Sequence, residues 1–338
     1  MPRSRAIPLT PDKLERLTLG CASAYRVTTL IARRNRWMTK RTIVTGGDAN
    51  YFPLIEELCA SVRHFRDAAA MGLVVIDGGL EPAQMEHLTQ RYGARILQVG
   101  WGFDIHPSRI RGREHLKVLT SRTFLDQHLP DSDLIIWIDG DAWVHDIAAV
   151  DMLCQGAERS GLAVVSQTSR YSQVTMTVQW AAFGYARVKS QLYKNARRAG
   201  LSEALARKVG DKPTFNAGVF AIRRDAPHWN AWRERQAEVI VKGRVFTSDQ
   251  LALGLIVHAD GLSAELMPEI CNYMGPYWTC TPDETALVER YIPNTPVGIV
   301  HMAGYNEMRK DLGITTEVHT TDGRVVAKSL RRPAWVKD

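Results

Sequence analysis

Cysteine is scarce and shows no pairing pattern. Its five copies (Cys21, Cys59, Cys154, Cys271 and Cys280) are odd in number among 338 residues, and none lies in a CxxC pair. That spacing speaks against a zinc-binding cysteine cluster and against a disulfide framework, and it fits a reducing compartment. Long apolar runs are also missing: no stretch reaches the roughly 18 uncharged residues of a membrane span. The first residues lack the basic-then-apolar order of a secretory signal. The expectation is therefore a cytoplasmic protein, soluble or peripheral at the inner face of a membrane. Neither sign of charge dominates, with 43 basic against 36 acidic side chains and a net charge of +7. This is a mild bias toward anionic partners. Without a lysine- and arginine-rich stripe interleaved with aromatics, nucleic acid is not expected among them. Internal repeats and low-complexity segments are absent.

The most informative segment present is Leu134 to Val144. It starts as an uncharged apolar run, continuous rather than alternating, and so reads as a strand buried on both faces. The run is interrupted by Asp139-Gly140-Asp141. Carboxylates at the end of a buried strand are costly unless a cation meets them. Two such oxygen ligands, with room for water and substrate phosphates, suit a hard divalent ion, Mg²⁺ or Mn²⁺. The plainer alternative is an Asp-Gly turn.

Around this segment runs an α/β rhythm. Residues 1–41 read as a mostly helical extension that opens at Thr10-Pro11-Asp12. It ends in a basic cluster, Arg33, Arg34, Arg36, Lys40 and Arg41, which is either a solvated face or a contact for an anionic membrane. Strands are expected at 42–45, 73–76 and 94–99, and helices at 51–65, 82–92 and 114–128. Alternation of this kind implies an α/β fold with a mostly parallel central sheet flanked by helices. Ligands then bind beyond the carboxyl ends of the strands. Thr45-Gly46-Gly47-Asp48, Asp77-Gly78-Gly79 and Asp139-Gly140-Asp141 all fall there. Residues 171–212, polar and rich in Arg, Lys and Gln, read as a helical excursion. A strand at 214–222 carries Phe215-Asn216-Ala217-Gly218-Val219-Phe220, and an amphipathic helix follows from Asp225. Phe246-Thr247-Ser248-Asp249-Gln250 is a capped helix start, and a strand at 297–300 ends at His301. Residues 313–338 read as a hairpin on an Asp-Gly turn with a basic tail (Lys328, Arg331, Arg332, Lys337), a second candidate for membrane contact. The central domain spans 42–312.

The order of motifs, DGD, then FNAGVF, then SDQLAL, then His301-Met302-Ala303-Gly304, resembles glycosyltransferase family 8 over roughly residues 42–310. Trp137 and the spacing after Lys117 also resemble family 34. The resemblance implies a GT-A nucleotide-diphospho-sugar transferase fold. It implies that Asp139, Asp141 and His301 bind Mn²⁺ or Mg²⁺, with Gly140 between the two acids. Asp48, Asn50 and Tyr51, beside Thr45, fall where the family holds uracil and ribose, and Asn216, Ala217 and Gly218 where it lines the donor sugar. Asp249 and Gln250 fall beneath the reacting anomeric carbon. Lys117 or Arg122 matches a base that meets the donor, and the sequence does not decide which. The chain departs from the family after Gly304: the usual diphosphate-binding lysine is Glu307 here, and Lys310 is the candidate to replace it through a longer loop.

The activity so implied is metal-dependent transfer of a hexose from UDP-glucose or UDP-galactose to a saccharide, glycolipid or other hydroxyl acceptor, with retention. The residues agree: a divalent ion and nearby bases would stabilise charge growing on the departing diphosphate. Trp101, Phe103, Trp180 and Tyr185 are candidates for a sugar-stacking rim, or for ordinary core. The rival readings are a non-catalytic sugar-nucleotide-binding protein, a phosphatase and a nucleotidyltransferase using the same aspartates.

Overall fold

The computed structural model describes residues 39–168, 176–180, 182–184 and 186–336. The first 38 residues, with most of the basic N-terminal cluster, lie outside that range, as do Tyr185 and Lys337. Residues 41–338 make one compact unit.

A seven-stranded sheet organises this unit. Its strands are β1 (Arg41–Gly47), β2 (Gly72–Asp77), β3 (Arg95–Leu97), β4 (Leu134–Ile138), β6 (Leu162–Ser166), β9 (Phe215–Arg223) and β10 (Glu265–Leu266), ordered β10-β6-β9-β4-β1-β2-β3. All neighbours are parallel except β9, which runs against both β4 and β6. This is the expected α/β arrangement with helices on both faces. Alternate strand residues feed two cores. Ile43, Val75, Ile136 and Ala221 pack with the helices Phe52–His64 and Ala148–Ser160. Val44, Val74, Ile135, Trp137 and Phe220 pack on the opposite side with the helices His228–Ile240 and Ser248–His258. Apolar residues at every position of β4 thus reflect burial on two faces.

Three departures from the sequence expectations shape the molecule. First, the run Leu134 to Val144 is two strands. After the Asp139–Asp141 turn the chain leaves the large sheet, and β5 (Ala142–Val144) pairs antiparallel with β13 (Ile299–His301). Second, the helix expected at 114–128 is broken into Leu116–Ser121, a tight turn Arg122–Phe124, and Leu125–His128. The hydroxyls of Thr120 and Ser121 donate back to the carbonyls of Lys117 and Val118, competition of the kind that weakens helices. Third, part of the expected helical excursion is a hairpin, β7 (Met176–Trp180) with β8 (Ala186–Ser190). Its polar composition obscures a two-residue alternation, Met-Thr-Val-Gln-Trp against Ala-Arg-Val-Lys-Ser, which is strand periodicity. The helices Gln191–Arg198 and Glu203–Gly210 follow.

The expected C-terminal hairpin, β14 (Thr316–Thr320) and β15 (Val325–Lys328), joins β11 (Thr279–Cys280) and β12 (Leu287–Val288) in a four-stranded sheet. Trp143, Trp278, Leu330 and Trp335 make a third core beneath it. Two residues of the basic tail are not free surface. Arg331 and Arg332 are each 5% exposed, and Arg331 donates to Glu57 at 2.8 Å. At the other end, Arg41 is buried and paired with Asp151 at 3.0 Å. All three cations are buried inside the fold, Arg41 and Arg331 on carboxylate partners, and so are unavailable to a membrane, which corrects that expectation for these residues. Among the described residues no helix is long and apolar enough to cross a membrane.

Candidate active site

At the carboxyl ends of β1 and β4, where the strand order reverses direction, a cavity of about 490 Å³ opens. This is where open α/β sheets bind ligands, and its size is that of a small-molecule site.

Strand pairing assembles a candidate metal triad, Asp139, Asp141 and His301. Register sets His301 opposite Ala142, and the Met302 amide donates to the Asp141 carbonyl at 3.0 Å, which brings the imidazole beside Asp141. Asn272, fully buried, fixes how that ring presents itself. Its side-chain nitrogen donates to Asn216 Oδ1 at 3.2 Å, so its oxygen faces His301 Nδ1 at 2.8 Å. An amide oxygen can only accept, so Nδ1 carries the proton and Nε2 of the neutral ring presents a lone pair. Nε2 stands 3.3 Å from Asp141 Oδ1 and 4.0 Å from Asp139 Oδ2.

Each carboxylate has its other oxygen occupied. Asp139 Oδ1 accepts from Arg122 at 2.8 Å and from the Trp137 indole at 2.6 Å, while Asp141 Oδ2 accepts from Arg309. Two oxygens and a nitrogen, all lone-pair donors and all within 4.8 Å of one another, therefore face one point. Three acceptors so placed can hold a cation among them, and hard oxygens with one imidazole suit Mn²⁺ or Mg²⁺. The residues fit the ion. A proton is the alternative occupant. Burial opposes charge on His301, yet Asp141 and Asp139 outweigh it and hold its pKa above the ordinary histidine value. Burial likewise works against the Asp141 anion, but His301 and Arg309 prevail and lower its pKa. Gly218 closes the triad. A Cβ there would lie 2.4 Å from His301 Cε1 and 2.6 Å from Asp139 Oδ2.

Arg122 joins this triad to a second acidic group. Delivered by the broken helix, its guanidinium is 2% exposed and stacks 4.2 Å over Trp137. It donates to Asp139, to the Ala217 carbonyl at 2.7 Å and to Asp249 Oδ2 at 2.8 Å. Burial pushes the Asp249 pKa up against the opposing charge of Arg122, and the net direction is upward. Next to it Gln250 donates to Gln167 at 3.4 Å, which Thr214 also engages at 2.7 Å. Across the cavity, Asp48 caps the turn Ala49–Tyr51 by accepting from the amides of Asn50 and Tyr51 at 3.1 and 3.2 Å.

Of the residues singled out in the sequence, Asp48, Tyr51, Arg122, Asp139, Gly140, Asp141, Asn216, Ala217, Gly218, Asp249, Gln250, His301 and Gly304 line the cavity. Thr45, Asn50, Lys117 and Lys310 do not. Thr45 is fully buried in β1, Asn50 is exposed, and Lys117 sits near Asp77. Lys310 extends outward, 73% exposed, toward Glu307 at 3.3 Å. The base that does reach the cavity is its neighbour Arg309, bonded to Asp141 and, at 3.0 Å, to the Tyr51 hydroxyl. Of Lys117 and Arg122, Arg122 lines the cavity and Lys117 does not. Sequence reasoning missed Asn272, Phe246 and Asn306, and of the two bases after Glu307, Arg309 and Lys310, it chose Lys310. In the expected aromatic rim, Phe103 instead packs edge-on against Phe124 at 5.3 Å and Trp101 joins a small core, while Trp180 is 79% exposed.

No protein-family profile matches the sequence, and no curated protein matches it. Solved structures do show a similar chain path. A galactosyltransferase, LgtC, in complex with donor and acceptor sugar analogues is 17% identical; the match covers 78% of this chain and 87% of that one, with a TM-score of 0.46. The glycosyltransferase GlyE of Streptococcus pneumoniae is 15% identical, with 89% and 61% covered and a TM-score of 0.48. WbbM, a bifunctional glycosyltransferase, is 12% identical, with 79% and 46% covered and a TM-score of 0.47. Likenesses of this size assign no activity.

Proposed function

We propose that this cavity is the active site of a divalent-metal-dependent glycosyltransferase that moves a hexose from UDP-glucose or UDP-galactose to a carbohydrate or glycolipid hydroxyl, with retention at the anomeric carbon. One observation carries the reading. Two carboxylate oxygens and an imidazole lone pair converge on one point, and a single buried guanidinium ties that cluster to an acid–amide pair, Asp249 and Gln250, in the same cavity.

A bound divalent ion would neutralise charge growing on the departing diphosphate. The chain's own residues do the rest. Asn272 holds His301 in the ligating tautomer. Arg122 keeps Asp139 and Asp249 at fixed positions on one rigid scaffold, so neither must reorganise as charge develops. Asp249 and Gln250 are the groups available to an oxocarbenium-like sugar, and the motif resemblance supports placing them beneath it. Arg309, rather than Lys310, is the base placed to meet the diphosphate. Tyr51 and the Asp48 turn offer a ring and backbone for uracil and ribose.

The test is to incubate the full chain with Mn²⁺ and each UDP-hexose in turn, with and without a panel of sugar acceptors, and to measure UDP release. Proton NMR of the first-formed product reads the anomeric configuration. UDP release that stops in excess chelator, and is nearly lost in Asp141→Asn, is the expected result. Binding of UDP-sugar without release in any combination would point to a non-catalytic binding protein. An inverted product would remove the retention claim.

A further inference from the structure

Two arginines touch the metal-ligating carboxylates, and they differ in one respect. Arg122 is 2% exposed and its charge is shared between Asp139 and Asp249. The side chain of Arg309 is 20% exposed. It rides on the short helix Asn306–Lys310, after Gly304, whose φ is +90°. Its guanidinium reaches across the cavity wall to Asp141 Oδ2, lies 5.8 Å over the Tyr51 ring and donates to the Tyr51 hydroxyl. An ion at Asp139, Asp141 and His301 would therefore share the Asp141 carboxylate with a guanidinium of like charge.

We infer that Arg309 is a gate on the metal site. It occupies Asp141 until a diphosphate draws its guanidinium away, so metal and nucleoside diphosphate load together. The inference rests on the nucleotide-sugar reading for the identity of the diphosphate, though not for the contact with Asp141. The charges give the reason. With Arg309 on Asp141, part of that carboxylate's attraction for a dication is cancelled and a positive charge stands beside the incoming ion. A diphosphate supplies the anion that both the ion and Arg309 lack, and its oxygens suit a guanidinium fork better than a carboxylate already shared with metal. By linkage, whatever factor the diphosphate adds to metal affinity, the metal adds to diphosphate affinity. Tyr51 contributes by holding the guanidinium over Asp141 while the site is empty of ligands.

The experiment is a titration of Mn²⁺ into the full chain, followed by the EPR signal of free Mn²⁺, alone and with saturating UDP. In the unaltered protein UDP should raise Mn²⁺ affinity by about 5–150-fold, the usual range of coupling between sites. Arg309→Ala should do two opposite things: bind Mn²⁺ alone more tightly than the unaltered protein, and lose most of the UDP-dependent gain. Tyr51→Phe should move Mn²⁺ affinity in the same direction by a smaller factor. Lys310→Ala, which removes an equal charge one residue away, should change neither quantity and so separates the gate from a general field effect. Arg309→Ala binding Mn²⁺ no more tightly, or keeping the full gain from UDP, would overturn the inference. Inorganic pyrophosphate reproducing the gain where UDP gives none would keep the gate and overturn the nucleotide reading instead.

Discussion

Gly218 lacks a side chain because the space belongs to Asp139 and His301 of the candidate metal triad. The Gly218→Ala methyl would press on His301 and on the ligating oxygen of Asp139. We expect Mn²⁺ affinity to fall by about 10–100-fold, as when a ligand's support is disturbed, and calorimetric titration reads this directly. Overpacking of this kind costs about 1–3 kcal/mol, so the variant should still fold, which its melting temperature will show. Arg122 carries more. Arg122→Ala would strand Asp249, which is 3% exposed, and removing one partner of a buried pair costs about 3–5 kcal/mol. Urea unfolding measures that loss, and a change below 1 kcal/mol would mean that Asp249 finds another partner. At this scale the sequence was legible where chemistry and position coincide. Asp139 and Asp141 interrupt an uncharged run, and that alone marks them. Arg309 and Lys310 are adjacent bases, and only the phase of a five-residue helix decides which of them turns inward. Asn272 has no motif, since a buried amide announces itself only through its partners.

Among the elements, interruptions matter more than regular stretches. The broken helix at 116–128 inserts Arg122 into the core, and the turn at 139–141 sends β5 away to pair with β13. Uninterrupted apolar or helical patterns gave the regular pieces closely, with the helix Pro82–Tyr92 falling on its expected bounds. The breaks depended on hydroxyl-to-carbonyl bonds and on tertiary pairing, which periodicity does not carry. The segment after β15 is tied in by Arg331 on Glu57, whose side chains are 6% and 12% exposed. Arg331→Ala should therefore destabilise the fold by about 3 kcal/mol or more. Arg324→Ala, which removes a half-exposed side chain from the same hairpin, should leave the melting temperature unchanged. Equal melting temperatures for the two variants would mean that Glu57 is solvated once Arg331 is gone.

Across the whole molecule, pH acts through buried and half-buried imidazoles. Burial holds His128, His145, His228 and His258 below the ordinary histidine pKa. In the unfolded chain they titrate near the usual value of about 6.5, so between the folded and unfolded values the unfolded state binds more protons. These four groups should make stability decline as pH falls through about 6.5. His301, with a raised pKa, works in the opposite direction in the metal-free protein, one group against four. His145 is the clearest contributor, because its Nδ1 faces the Val297 carbonyl at 2.9 Å while Nε2 accepts the Leu287 amide at 3.2 Å; a second proton would break the latter bond. Calorimetric melting between pH 7.5 and 5 should show the decline, and His145→Gln should flatten it. An unchanged slope in that variant would mean that the loss arises elsewhere. At this scale the parallel sheet and its ligand edge were readable from alternating elements and from glycine–aspartate strand ends. The reversed direction of β9 was not, because an apolar strand looks the same read either way.

The pairing of β5 with β13 also sets a schedule. Asp139 and Asp141 leave the ribosome long before His301, and at about 5–20 residues per second that interval is roughly 10–30 s. Through it, the strand that will carry His301 does not yet exist, and Ala142 to Val144 have no partner. A nascent chain can thus fold much of its parallel sheet while the candidate metal site still lacks its histidine. The proposed chemistry could begin only when the late strand closes on the early one, so on that reading a chain released too soon would be inert rather than unregulated.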